Sequence, residues 1–192
     1  ITKERRNITV WPDNPMGHGV KDMKFRFQWN FPIEFDPHDP NTVYAANTGL
    51  YRSTDRGKRW RLILPDSADV TAESMSGDHA GQRFVTSSGV PGGSIAKVRV
   101  DPVKPGRLWV GVSSGGRRGD RGSNVMVSDD NGESWITAAE VAGQVLAIFP
   151  GSWHGQPDQV VVVTSSAISR VGLNGEVVSL KLPAERTTAA DG

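Results

Sequence analysis

The chain contains one eight-residue pattern twice, as Ser53-Thr54-Asp55-Arg56-Gly57-Lys58-Arg59-Trp60 and as Ser128-Asp129-Asp130-Asn131-Gly132-Glu133-Ser134-Trp135. Each copy lies between two short apolar runs, which is typical of two antiparallel strands joined by a tight turn. In such a turn the Asp side chain accepts hydrogen bonds from backbone N–H groups. The Gly takes a positive φ that a side chain disfavours, and the Trp lies back over the hairpin and buries a large apolar face. We call this pattern the box and predict a structural role for its shared residues: Ser53, Asp55, Gly57, Trp60, Ser128, Asp130, Gly132 and Trp135.

A second shared element precedes each box. Residues 31–46 and 96–111 both read as a strand, an Asp-Pro-x-x-Pro turn and a second strand. Proline fixes φ at two turn positions, and Asp before the first proline favours turn initiation. A third and more degenerate copy follows, in which residues 156–163 match the second strand and residues 168–178 match the hairpin. There the box Ser, Asp and Trp are replaced by Val171, Leu173 and Val178, and an Asn174-Gly175 turn holds the hairpin.

Each copy therefore supplies four short strands, which predicts an all-β fold. Four-stranded units repeated at a few tens of residues are typical of β-propeller blades. The sequence accounts for about three antiparallel blades, whereas a propeller ring closes with about four to eight. We therefore expect this chain to be a fragment of a larger ring, whose remaining blades come in cis or by self-association.

The copies also predict how the chain is divided. Residues 1–30 contain the leading strand of a preceding blade, a loop and the start of the first inner strand. Residues 31–64 form blade 1 with its box, 94–139 form blade 2 with its box, and 140–182 form blade 3 with a degenerate box. A long inter-blade loop covers residues 65–93, and a polar tail covers 183–192.

The composition excludes several classes of function. The 192 residues include 22 Gly and 12 Pro, as suits a turn-rich all-β protein, and 22 basic against 21 acidic residues give no nucleic-acid footprint. No apolar run approaches the roughly 20 residues that span a membrane. The chain has no Cys, which excludes disulfides and thiolate chemistry. We expect neither a nucleic-acid partner nor a membrane span.

With boxes and turns placed, the chain resembles the bacterial Asp-box (BNR-repeat) propellers of the sortilin/Vps10-like, glycosyl-hydrolase-like family. The most similar stretch runs from residues 4–12 through 61–63 and includes Met16-Gly17-His18-Gly19 and residues 25–33. The resemblance continues from residue 94 through the second box. It implies a secreted or periplasmic protein with a large multi-bladed propeller. Sortilin-type relatives bind peptides and proteins inside the ring, and sialidase-type relatives hydrolyse glycosides.

The stretch before the first Asp-Pro turn is a candidate ligand-binding strand beside the central channel. Alternation places Lys24, Arg26, Gln28 and Asn30 on one face of residues 24–30. One interpretation is a solvated or salt-bridged strand; the other is a basic lining that holds an acidic group of a peptide or sugar. The preceding loop adds His18 between two glycines, and Asp22. Without a second spaced His the metal signal is weak, and we expect no metal or cofactor.

The sequence leaves an enzyme and a binding module as alternatives. Asp55 and Asp130 could be catalytic acids or calcium ligands, but we interpret them as staples of rim turns. A sialidase-type site needs a Tyr nucleophile, and both tyrosines, Tyr44 and Tyr51, occupy packing positions. A two-carboxylate glycosidase needs a facing pair, and no spacing singles one out, so catalytic residues stay unassigned. We predict an extracellular, non-catalytic module that binds peptide, protein or glycan ligands. The alternatives are part of a secreted sialidase-like glycoside hydrolase and a structural scaffold.

Overall fold

The described part of the chain forms three four-stranded antiparallel sheets, each with its strands in chain order. The computed structural model describes residues 8, 10, 31–47, 49–64, 94–113 and 122–180. Blade 1 consists of β1 (Ile33–Phe35), β2 (Val43–Ala46), β3 (Leu50–Ser53) and β4 (Arg61–Leu64). Blade 2 consists of β5 (Ser94–Val100), β6 (Leu108–Ser113), β7 (Ser123–Ser128) and β8 (Ile136–Val141). Blade 3 consists of β9 (Val145–Pro150), β10 (Gln159–Thr164), β11 (Ile168–Gly172) and β12 (Val177–Ser179). The prediction of four-stranded antiparallel blades is confirmed.

The blades are linked by short connections wherever the structure describes them. A single turn of 3₁₀ helix, Gly151–His154, lies between β9 and β10. In the described part of the chain no helix has the length and apolar character needed to cross a membrane. The predicted inter-blade loop 65–93 and polar tail 183–192 lie outside the described residues, as does nearly all of 1–30.

The Asp-Pro turns connect the first two strands of blades 1 and 2. The Oδ1 of Asp36 accepts a hydrogen bond from the backbone N–H of His38 at 2.8 Å. The Oδ1 of Asp101 accepts from the backbone N–H groups of Val103 and Lys104, both at 2.9 Å. These bonds satisfy turn amides that no strand partner reaches, which is why Asp precedes the proline.

The box turns connect the third and fourth strands of the same blades. Ser53 Oγ accepts from the Gly57 N–H at 2.8 Å, and Asp55 Oδ1 accepts from the Lys58 and Arg59 N–H groups at 2.9 Å. Gly57 has a φ of 77°. Burial raises the pKa of the Asp55 carboxyl, but the hydrogen bonds from Arg59, Ser53 and Lys58 outweigh it and hold that pKa below its usual value.

The second box repeats this arrangement. Ser128 Oγ accepts from the Gly132 N–H at 2.8 Å, and Gly132 has a φ of 88°. Asp130 Oδ1 accepts from the Ser134 N–H at 2.9 Å, and its Oδ2 accepts from the Ser134 hydroxyl at 2.6 Å. Burial again raises the pKa of Asp130, and the bonds from Ser134 and Ser128 bring it below its usual value. In blade 3 the N–H of Gly172 donates to the carbonyl of Glu176 and closes the turn without a carboxylate.

The hydrophobic core lies between neighbouring blades. Between blades 1 and 2 it contains Tyr44, Ala46, Leu50, Ile63, Leu64, Ile95, Val98, Val100, Leu108, Val110, Val112 and Met126. Between blades 2 and 3 it contains Trp109, Val125, Val127, Ala138, Val141, Val145, Ile148, Val160, Val162 and Val171. Among the first strands, β5 contacts both β1 and β9 across the blades. These three are therefore the inner strands, and the boxes lie at the opposite side of each sheet.

Each box tryptophan also donates to a backbone carbonyl earlier in the chain. The indole Nε1 of Trp135 donates to the carbonyl of its own Gly132 at 3.1 Å and to that of Ile63, in β4 of blade 1, at 3.0 Å. The indole Nε1 of Trp60 donates in the same way to the carbonyl of Ile8 at 3.2 Å. Trp135 therefore binds both its own turn and β4 of blade 1, and Trp60 binds the segment around Ile8.

The glycines of the boxes show the same equivalence. A Cβ added to Gly132 would lie 2.5 Å from Ile63 Cδ1, and one added to Gly57 would lie 2.6 Å from Ile8 Cβ. Val10 is buried with Val43, Ala45, Tyr51, Trp60 and Leu62. Ile8 thus holds, relative to blade 1, the place that Ile63 holds relative to blade 2. A leading strand of a preceding blade over residues 7–11 remains a prediction, since Ile8 and Val10 alone are described there.

Candidate ligand-binding site

The inner strands present one residue from the same position of each blade. Glu34 pairs with Tyr44 in the sheet of blade 1, Arg99 with Trp109 in blade 2, and Phe149 with Val161 in blade 3. The Arg99 side chain is 44% exposed, that of Glu34 is 18% exposed, and Phe149 is 44% exposed. We call Glu34, Arg99 and Phe149 the channel wall. It offers an acid, a base and an aromatic ring on three adjacent strands.

An ion pair joins the first two members of the channel wall. Arg99 Nη1 lies 2.5 Å from Glu34 Oε2. Burial raises the pKa of the Glu34 carboxyl, and the Arg99 charge and the Val100 N–H oppose that rise without cancelling it. A guanidinium has five N–H donors. Among the residues that the structure describes, Arg99 makes its side-chain hydrogen bond through Nη1, to Glu34.

Two other exposed residues of β1 do not belong to the channel wall. Ile33 and Phe35 are 52% and 68% exposed on the opposite face of the strand. The matching residues of blade 2, Val98 and Val100, are 3% and 4% exposed because blade 1 covers them, and Ile148 of blade 3 is 1% exposed. Ile33 and Phe35 therefore lie on a face that packs against another blade at the equivalent positions.

A polar cleft of about 500 Å³ lies where the Asp-Pro and box turns of blades 1 and 2 meet. Its lining is Asp36, His38, Asp39, Thr42, Arg52, Thr54, Pro105, Gly106, Asp129 and Asn131. Its charged groups are already engaged: Asp39 accepts from the Thr42 hydroxyl at 2.7 Å, and Arg52 donates to Glu133 at 3.0 Å. Because these groups already have partners within the protein, we interpret the cleft as part of the contact between blades 1 and 2.

A buried guanidinium fastens blade 2 to blade 3. The side chain of Arg107 is 1% exposed and forms a two-point pair with Asp129, with Nε–Oδ1 and Nη2–Oδ2 distances of 2.5 and 2.8 Å. Its Nη1 donates to Asp158 Oδ1 at 3.0 Å and to the Pro157 carbonyl. The hydrogen bond from Arg107 lowers the pKa of Asp129 to about 2, against burial. Its charge is fully used by these partners, which indicates a structural role.

Asp101 contacts all three blades. It is fully buried at the end of β5. Its carbonyl oxygen lies 2.8 Å from Nε2 of His38 in blade 1. A carbonyl oxygen can only accept a hydrogen bond, so Nε2 is the protonated nitrogen and donates to it. Its Oδ1 accepts from the Ser152 hydroxyl of blade 3 at 2.7 Å. The geometry again indicates a structural residue.

The ligand-binding residues predicted from the sequence lie outside the described residues: His18, Asp22, Lys24, Arg26, Gln28 and Asn30. Their role stays a prediction. Asp55 and Asp130, which could have been catalytic acids or calcium ligands, use their carboxylates in the box turns. Among the residues that the structure describes, no three His, Cys, Asp or Glu side chains are grouped to hold a metal ion.

Arg99 and Phe149 are wall residues that the sequence interpretation did not single out. A signal for Arg99 was present, because aligning residues 31–46 with 96–111 sets it opposite Glu34. Phe149 had no such signal. The match between the third copy and the other two begins at residue 156, and β9 ends without the Asp-Pro turn that marks β1 and β5.

Comparisons with known proteins establish the fold. No protein-family model matches the chain, and no curated protein does. Among solved structures, an ancestral GH74 enzyme matches with a TM-score of 0.51 and 15% identity over 80% of this chain and 18% of its own. The GH74 xyloglucanase from Xanthomonas campestris matches with a TM-score of 0.49 and 21% identity over 79% of this chain and 22% of its own. YCF48 from Cyanidioschyzon merolae matches with a TM-score of 0.49 and 18% identity over 78% of this chain and 36% of its own.

The chain thus spans between about a fifth and about a third of the length of these structures. The likeness to the ancestral enzyme agrees with the three four-stranded sheets, and together they confirm the predicted β-propeller fold. At such identities the likeness concerns the fold alone.

Proposed function

We propose that this chain is part of an Asp-box propeller that binds an acidic peptide or protein segment at its channel wall and does not hydrolyse it. The observation that carries the proposal is the row formed by Glu34, Arg99 and Phe149 on three adjacent inner strands. The row combines a partly exposed cation with an exposed aromatic ring. Binding sites commonly use such a combination of an apolar surface and a few fixed polar groups.

The acid content of the wall favours binding over hydrolysis. Within β1, β5 and β9, Glu34 is the one acidic residue, and it is paired with Arg99. A glycosidase of the two-carboxylate type needs two such groups roughly 5–10 Å apart, one of them free to act as base or nucleophile. The described inner strands supply a single carboxylate that is already engaged.

The charge of the wall favours an acidic ligand. Lys97 lies two residues before Arg99 on the same face of β5 and is partly exposed. Arg99 and Lys97 together outnumber Glu34 by one positive charge. A ligand carboxylate can receive two N–H groups from Arg99, while an apolar side chain packs on the Phe149 ring. The predicted basic face of Lys24 and Arg26 would extend this surface.

The box geometry supports the sortilin-like Asp-box family for this chain. Both boxes use the serine hydroxyl and the aspartate carboxylate to hold the turn, as the pattern requires. With that family comes the further proposal that the protein acts outside the cytoplasm, as a secreted or periplasmic module.

The test is a binding measurement on the wall. The purified chain is used to select peptides from a random display library, and an enriched peptide is titrated by isothermal calorimetry. Arg99→Gln is expected to weaken binding by roughly ten- to a hundredfold, since a charge-assisted hydrogen bond contributes about 1.5–3 kcal/mol. Arg59→Gln is the matched control, because Arg59 is exposed in the first box turn, away from the inner strands.

Three outcomes contradict the proposal. If both arginine variants bind the selected peptide as the unchanged chain does, the channel wall is not the site. If selection enriches no peptide while a xyloglucan oligosaccharide binds, the ligand is a glycan. If that oligosaccharide is cleaved and Glu34→Gln abolishes the cleavage, the protein is a glycoside hydrolase.

A further inference from the structure

Blade 3 has a sheet face whose counterparts in blades 1 and 2 are covered by the next blade. Cross-strand pairing defines one row of side chains on this face in each blade. The rows are Glu34–Tyr44–Arg52–Arg61, Arg99–Trp109–Val127–Ile136 and Phe149–Val161–Arg170–Val178. We call the side of blade 3 that carries the third row its trailing face. A second row of that face pairs Ala147, Val163 and Ile168.

The trailing face is apolar and partly open. Tyr44 and Trp109, at the second position of the first two rows, are fully buried. Val161 holds the same position in blade 3 and is only half-buried, as is Val163 beside it. The same sheet position thus goes from full burial to partial exposure where no described blade follows. This continuity indicates that the trailing face is an inter-blade contact surface.

One charge on this face specifies what covers it. In blade 1, Arg52 donates to Glu133 at 3.0 Å, and its side chain is 14% exposed. Glu133 directly follows the box glycine of the next blade, and Arg61 also pairs with it at 2.6 Å. Arg170 holds the place of Arg52 in blade 3. It is exposed and makes no ion pair with the residues that the structure describes.

We propose that the trailing face of blade 3 binds a further four-stranded blade that carries an acidic residue directly after its box glycine, which pairs with Arg170. A second copy of this chain does not meet that requirement. The residue after the first box glycine is Lys58, so head-to-tail docking would set it against Arg170. In addition, Ile8 and Val10 already occupy part of the side of blade 1 that would have to dock, next to Trp60.

The experiment supplies such a blade. A copy of residues 94–141, whose Glu133 is the required acid, is appended after Gly192 of the full chain. The chain has no cysteine, so Val161→Cys gives a single thiol reporter on the trailing face. We expect the appended blade to slow thiol labelling about tenfold, which corresponds to a covering equilibrium of about 1.4 kcal/mol. Val103 lies in the Asp-Pro turn of blade 2 and is 61% exposed. A Val103→Cys reporter should therefore be labelled at the same rate with and without the appended blade.

Charge variants then test the specificity. Glu133→Lys in the appended copy should restore fast labelling, and adding Arg170→Glu should slow labelling again by reversing both charges. If Val161→Cys disturbs folding, Val163→Cys reports on the same face. Equal labelling with and without the appended blade would overturn the proposal. Labelling of the unextended chain that slows as its concentration rises would also overturn it, because a second copy would then be the occupant.

Discussion

Replacing Gly132 by alanine tests the contact between the second box and blade 1. Gly132 has a φ of 88°, and an added Cβ would lie 2.5 Å from Cδ1 and 3.2 Å from Cβ of Ile63. The left-handed backbone of a non-glycine residue costs roughly 1–2 kcal/mol. Forcing a methyl group into a packed interface costs roughly 1–3 kcal/mol more. We therefore expect Gly132→Ala to lower the free energy of unfolding by about 3 kcal/mol.

A second glycine separates the two contributions. Gly155 follows the 3₁₀ turn with a φ of 70°, and no atom lies within 4 Å of an added Cβ. Gly155→Ala should therefore cost about 1 kcal/mol, from the backbone alone. Ile63→Val removes the Cδ1 atom that an alanine at 132 would meet. In the Gly132→Ala background it should cost less than the roughly 1 kcal/mol it costs alone.

The assay is urea unfolding followed by tryptophan fluorescence, since the chain has six tryptophans and Trp135 packs at the contact in question. The double-mutant cycle of Gly132→Ala and Ile63→Val should give a coupling energy of about 1 kcal/mol. If Gly132→Ala costs no more than Gly155→Ala, or if the two changes are additive, the box turn does not bear on the preceding blade.

Two further predictions concern the turns and their charges. Asp130→Ala removes the acceptor for Ser128 and Ser134 and should destabilise the fold by about 1–2 kcal/mol without altering peptide affinity; an unchanged melting temperature would contradict this. For Asp129, the folded pKa of about 2 lies below its ordinary value of 3.8, so its stabilisation is present above pH 3.8 and is lost as the pH falls through 2. After a discount for the solvent exposure of Asp129, this stabilisation amounts to about 1 kcal/mol. The difference in the free energy of unfolding between the unchanged chain and Asp129→Asn should therefore disappear as the pH falls from 3.8 to 2. A difference that persists below pH 2 would refute the assignment.

The strands and turns were predictable because their chemistry is local. Asp36 and Asp101 accept hydrogen bonds from amides two or three residues away, and the box residues bond within their own turn. Even the degenerate third hairpin was recognisable from Asn174-Gly175, because Gly175 takes the positive φ that the turn needs. Where these local signals occur, sequence reasoning places strands correctly.

The contacts between blades were not predictable in the same way. Alternation assigns side chains to two faces of a strand but does not say which blade covers each face. The Arg99–Glu34 pair joins residues 65 positions apart, and the bond from Arg107 to Asp158 spans 51 positions. Such pairs depend on the rotation from one blade to the next about the propeller axis, and no local pattern in the sequence indicates that rotation. The channel wall belongs to this second class.

The position of Asp101 has a consequence for how the sheets come apart. Repeat proteins are commonly described as stacks in which each unit senses its immediate neighbours alone. Here one residue accepts a hydrogen bond from the His38 ring of blade 1 on its carbonyl oxygen and one from the Ser152 hydroxyl of blade 3 on its carboxylate. Loosening either outer sheet withdraws a donor from the same buried residue. We therefore expect the three sheets to come apart as a single cooperative unit, and a replacement for the middle sheet would have to re-create an anchor for both of its neighbours.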